Sequence, residues 1–253
     1  MWRKVRIGIL LLILLFVALN TWFDRVYSTD WQNPLRVAVF PINGDDSAVS
    51  ARYVQSLDGA HLLPLENFFA EEGKAYDVKP VPPIRLSLAA PIRELPPQLE
   101  PGTGRLGVML WSLRARWWAS RAEGPPGSEI KLFVLYHDPQ RTSSLPHSTG
   151  LQKGLFGIVH VFADKRMAGS NDTVIAHELL HTLGASDKYG ADNLPRFPDG
   201  YAEPQRQPRY PQQFAELMGG RIPVSAGEAE IPESLQQVVI GPLTATEIGW
   251  SPR

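Results

Sequence analysis

The stretch TVIAHELLHTLGASDKYG, residues 173–190, constrains the fold more than any other part of the chain. Residues 174–183 contain neither glycine nor proline, and their apolar positions recur at helical spacing, so the segment predicts a helix over about 172–184. Ser170, Asn171 and Asp172 offer caps for its start, and Gly184 stands where a helix ends in a left-handed residue. At about 100° per residue, His177 and His181 project together while Ile175, Ala176, Leu179, Leu180 and Leu183 cover the opposite arc. One arc therefore needs a core to bury it, and the other carries two imidazoles.

Two imidazoles four residues apart on a helix can reach one Zn²⁺ at roughly 2.0–2.1 Å. Glu178 points to the edge of the same site, where a carboxylate can hold and deprotonate water without being a ligand. The bend at Gly184 turns the chain back so that Asp187 can supply a third ligand. Two histidines and one carboxylate leave a coordination position open for water, the pattern of a catalytic zinc site. With six histidines in the chain, a chance match to this spacing is expected in roughly one such sequence per hundred.

On these residues the chain resembles the metzincin metallopeptidases. HELLHTLGASD is similar to their His-Glu-x-x-His-x-x-Gly-x-x-His/Asp signature, in the snapalysin-like version with aspartate as third ligand. AELMGG resembles the methionine turn beneath the metal in that family, with Met218 in its place and two glycines after it. The resemblance spans about 174–189 and 216–220. It implies an α+β zincin fold: a twisted mixed β-sheet with backing helices and an active-site helix, followed by a small irregular C-terminal subdomain. It also implies zinc-dependent hydrolysis of a peptide or protein substrate, with one catalytic Zn²⁺ held by His177, His181 and Asp187 and Glu178 as the base. Some metzincins place a tyrosine just after the methionine turn to stabilise the oxyanion. Here 219–221 are Gly, Gly and Arg, and Tyr189 is the candidate substitute. The family's substrate-pairing edge strand would be segment 131–138 or 155–163.

The rest of the sequence sets the frame. A hydrophobic content of 43% over 253 residues suits one globular domain with a sizeable core, or at most two small ones. A net charge of −1 with acids and bases interspersed gives no basic footprint for nucleic acid. The chain has no cysteine, so a metal must be held by nitrogen and oxygen. Alternating, β-branched 36–42 predicts a strand, and 131–138 and 155–163 are two more. Helices are predicted over about 47–57 and 64–72. Proline-rich 79–104 reads as an extended connection with one short strand near 84–88, and 195–213 as a loop. Leu106, Leu110, Leu113 and Trp117 recur at helical spacing, predicting a helix whose apolar stripe meets the sheet. His61, His137, His147 and His160 read as packed, surface or loop residues.

At the N-terminus, Arg3, Lys4 and Arg6 precede an apolar run over 7–19 and then Trp22 and Phe23. This reads as an export signal in residues 1–30, with a catalytic domain over 31–253. No small-x-small cleavage site follows, so an uncleaved membrane signal-anchor and an extracytoplasmic domain are expected, with a removed signal peptide as the alternative. Two other functional readings stand beside the metzincin one. A thermolysin-like peptidase would take Glu203 as third ligand, although the prolines around Glu203 make a poor host for the required helix. A membrane-anchored binding protein would keep the fold without turnover.

Overall fold

The computed structural model describes residues 31–250 apart from 101 and 153, together with residues 2, 6–8, 11 and 12. The protein is α+β, with helices on both faces of a mixed central sheet. Strands β1 (Leu35–Asn43), β2 (Ile84–Leu88), β3 (Ile130–His137), β4 (Thr149–Leu151) and β5 (Phe156–Phe162) lie in the order β2-β1-β3-β5-β4. All neighbours are parallel except β4, which runs antiparallel to β5 with Gly150 opposite Gly157.

Alternation along the strands sorts the side chains into two cores. Val37, Val39, Leu132, Val134, Val159 and Val161 meet α1 (Ala48–Ser56), α2 (Leu63–Ala75) and the helix that carries the histidines. Phe40, Phe133, Leu135 and Ile158 face α3 (Arg105–Ser120) on the other side. Covered on both faces, β1 and β3 are buried almost throughout. The histidine helix is α4 (Ala168–Leu183), followed by a small irregular unit. That unit holds β6 (Ala215–Glu216) paired with β9 (Val238–Val239), β7 (Ile222–Ser225) paired with β8 (Glu228–Glu230), and α5 (Pro242–Glu247).

The structure corrects several expectations. Neither 131–138 nor 155–163 is an edge strand: β3 lies between β1 and β5, and β5 between β3 and β4. The sheet's edges are β2 and β4, and β4, at three residues with a central glycine, is too short to show a period-2 pattern. Helix α3 presents the opposite face from the one predicted. Leu106, Leu110, Leu113 and Trp117 are 54–74% exposed, while Ala115, Trp118 and Ala119 are buried. The two alanines allow close approach to the sheet, and Trp118 lies 4.4 Å from Phe133, ring centroid to centroid. The signal-anchor, transmembrane and membrane-anchored expectation is overturned: among the described residues no helix is long and apolar enough to cross a membrane. A span needs about 20 consecutive apolar residues, and most of the apolar run 7–19 on which the expectation rested lies outside the described residues.

Candidate metal centre

Helix α4 is fixed at both ends. At its start Asn171 acts as a tether rather than a cap: its amide donates to Phe162 O (2.8 Å) and accepts from Phe162 N (3.1 Å), joining the helix to the end of β5. A 3-10 turn over Lys165–Met167, capped by Asp164, carries the helix start back to Ala168, earlier than predicted. At the other end Gly184 is left-handed (φ 103°), and Ala185 N returns to Leu180 O at 3.0 Å. Along its flank β4 approaches so closely that a Cβ on Gly150 would stand 2.4 Å from Glu178 O and 2.5 Å from His181 Cβ. Gly150 therefore sets the distance between strand edge and helix.

The bend at Gly184 brings Asp187 back over the helix, where Oδ1 lies 3.1 Å from His177 Nε2 and 3.1 Å from His181 Nε2. The loop is held from behind. Lys188 N donates to Met218 O (2.8 Å), and the buried Lys188 Nζ reaches Glu247 (2.7 Å) and Ser186 O (3.0 Å). Each imidazole is also aimed from its far side. His177 Nδ1 lies 2.9 Å from Leu217 O, and His181 Nδ1 lies 2.8 Å from Ala185 O. A carbonyl oxygen only accepts, so both Nδ1 atoms carry hydrogen and each neutral ring turns a bare Nε2 toward Asp187. Three lone pairs then converge with no hydrogen between them, which is stable only with positive charge among them. Protons on both rings would supply it, as would one divalent cation. Donors at roughly 2.0–2.1 Å around a tetrahedral ion stand about 3.3 Å apart, close to the separations found here.

The electrostatics follow from that crowding. For Asp187 burial favours the neutral acid, but when the two histidines are protonated their hydrogen bonds and charge outweigh it and hold the carboxyl far below the usual range. Burial opposes charge on His181, yet Asp187 and Glu178 carry its titration above the ordinary imidazole value. Burial pushes Glu178 up, partly offset by His177 and His181. Its Oε2 is buried with no partner among the described residues, and its carboxylate and the two histidine nitrogens lie within 4.8 Å of one another. Burial and Asp187 together push the Tyr189 hydroxyl up to about 12, and its ring centroid lies 6.1 Å from that of His177.

Beneath the centre, Met218 is fully buried among the residues of the main core. Its turn is built by Glu216, a residue the sequence reading passed over. Glu216 O accepts from Gly219 N (2.9 Å) and Gly220 N (3.0 Å), and its carboxylate accepts from Gly219 N, Gly241 N and Thr244 Oγ1. This turn places Leu217 O under His177. Glu203 is elsewhere: its carboxylate accepts from Arg206 (3.2 Å) and Gln213 N (3.0 Å) within the loop that the prolines form. In front of the histidines lies a cleft of about 490 Å³, lined in part by His147, His160, Val174 and Arg221. His160, on β5, turns its ring to His137: its Nδ1 pairs with His137 Nε2 at 2.9 Å, and burial and His137 bring it down to about 4, so it meets the cleft as a neutral ring.

The chain matches no known protein-family model and no curated protein.

Proposed function

We propose that the chain is a zinc-dependent peptidase of metzincin-like fold, with His177, His181 and Asp187 as the donors to one divalent cation. The observation that carries this reading is the pair of Nε2 atoms aimed at one carboxylate oxygen at 3.1 Å, both rings locked by backbone carbonyls. Two nitrogens and one oxygen, with no cysteine in the chain, suit Zn²⁺. When bound, such an ion supplies Lewis acidity, acidifying water and polarising a carbonyl oxygen.

The remaining steps belong to the chain's own groups. Glu178 is buried, its proton affinity is raised and one carboxylate oxygen lacks a partner, so it is equipped to take a proton from attacking water and return it to the leaving amine. Tyr189, still protonated at neutral pH, can donate its hydroxyl to the charge developing on the carbonyl oxygen. Among the described residues β4 pairs only with β5, which leaves its outer edge beside the helix for an extended peptide to join as a further strand. A substrate lying there passes the cleft wall formed by His147 and His160.

Bound metal in the purified full chain tests the reading. The expected result is about one zinc per chain, lost in Asp187→Ala and retained in Glu203→Ala. Zinc retained by Asp187→Ala and lost from Glu203→Ala would transfer the assignment to the thermolysin-like ligand set. Stoichiometric zinc without chelator-sensitive cleavage of any unfolded protein would leave a binding protein in place of an enzyme.

A further inference from the structure

A second cavity, of about 370 Å³, lies on the other flank of α4, between α1, the 3-10 turn Gly59–Leu62 and the ends of β2 and β3. Leu57, Leu88 and Ile175 make apolar wall, while Tyr53, Tyr136 and Asp172 bring polar groups to the same space. The two tyrosine rings are 5.1 Å apart, centroid to centroid. Asp172 lines the same cavity as the two rings. Among the described residues, none forms a hydrogen bond or ion pair with the Asp172 carboxylate, and none a hydrogen bond with either hydroxyl. The other acid in the lining, Asp58, is already committed to Ala60 N and His61 Nδ1. No lysine or arginine lines the space; the one basic side chain in the lining is His61, which is paired with Asp58 and acts on Asp172 through charge alone. Half-buried polar tips left without partners in an apolar cavity are what a ligand of complementary charge would satisfy.

We infer that this cavity is a second ligand site, separate from the metal centre, and that it takes a small primary ammonium carried on an apolar or aromatic body. An ammonium has three N–H donors, matching one carboxylate and two phenolic oxygens, and the tyrosine faces accommodate a cation as well. An anion would meet the Asp172 carboxylate, and a neutral apolar molecule would leave it unpaired. The cavity's volume is at the small end of the range for ligand sites, which suits a small molecule. Burial pushes the Asp172 carboxyl up to about 7 in the free protein, so an arriving ammonium is also what would hold it ionised. Asp172 and Ile175 line this cavity while Val174 and His177 on the same helix line the catalytic cleft, so the site is built against the helix that carries the metal donors.

The test is calorimetric titration of the full chain at about pH 8, where the carboxyl is ionised, in the presence of a chelator so that no amine can bind through a metal. The probes are phenethylamine, its neutral counterpart 2-phenylethanol and its anionic counterpart 3-phenylpropionate. Phenethylamine should saturate with a Kd on the order of 1 mM or tighter, 2-phenylethanol should bind at least about tenfold more weakly, and 3-phenylpropionate should not bind. Asp172→Asn should weaken phenethylamine at least about tenfold while leaving 2-phenylethanol unchanged or tighter, which shows the cavity intact. Tyr53→Phe, which keeps the ring and removes one oxygen, should weaken it about threefold to tenfold. The proposal fails if amine and alcohol bind alike, if no probe saturates, or if neither substitution changes amine affinity.

Discussion

Gly150→Ala isolates the packing of the edge strand on the histidine helix. The added methyl would stand 2.4 Å from Glu178 O and 2.5 Å from His181 Cβ. Neither obstruction can rotate away, because one is main chain and the other is fixed to it. Ordinary contact requires roughly another 1 Å, so β4 must retreat or the helix must yield, and overpacking of this kind costs about 1–3 kcal/mol. With no flexible neighbour to absorb it, the upper end applies, about 3 kcal/mol. For a chain of this size that corresponds to a Tm lower by about 6–12 °C. Gly227→Ala is the matched control: nothing lies within 4 Å of its added Cβ, so its effect should stay within about 0.5 kcal/mol. Thermal melts of the two variants side by side give the answer. If Gly150→Ala melts within about 2 °C of Gly227→Ala, β4 is not seated on α4 as described. On the proposed reading, kcat/KM for peptide cleavage should also fall about 10²-fold well below Tm, because the recognition edge has moved by about 1 Å while the three donors keep their ion.

Glu178→Gln should retain bound zinc, measured by elemental analysis, while turnover falls by about 10²–10⁴; loss of the metal together with turnover would make Glu178 a donor. Tyr189→Phe should lower kcat about tenfold to a hundredfold with KM nearly unchanged, and an unchanged kcat would remove the hydroxyl from the reaction. The folded-state pKa of Asp172 lies above its unfolded value, so the folded protein holds the extra proton between about pH 4 and 7, and stability falls as pH rises through that window. Asp172→Asn should therefore be more stable than the parent at pH 8, by about 1–2 kcal/mol after allowance for partial exposure, with the gap closing toward pH 5. A gap independent of pH would show that this carboxyl does not titrate where its surroundings place it.

The legible parts of the chain were those in which local chemistry and packing agree. The segment 174–183 is helical because nothing in it breaks a helix, and Gly184 ends it because the next turn needs a left-handed residue. Strand β2 could be read at 84–88 inside a run of prolines because β-branching and alternation survive there. The apolar stripe of α3 gave the helix but not its buried face, since periodicity alone cannot tell a leucine row packed on a sheet from one left in solvent. Asn171 looked like a cap; its partner is the backbone of Phe162, which pairs with it only after the chain has folded. The spacing of His177, His181 and Asp187 was visible, but what aims the rings was not. Their partners are the carbonyl oxygens of Leu217 and Ala185, which every residue type possesses and no pattern of side chains reveals. The open acceptors around Asp172 escaped notice for a related reason: Tyr53, Tyr136 and Asp172 come from three separate elements.

All three proposed donors lie in one continuous stretch of eleven residues, 177–187, yet the acceptor that orients the first of them arrives from residue 217. A ribosome-bound chain that has extruded only the helix and the bend would carry all three donors with one ring correctly aimed and the other free to swivel. On the proposed reading, uptake of the ion would then be a late event, keyed to docking of the unit that carries Leu217.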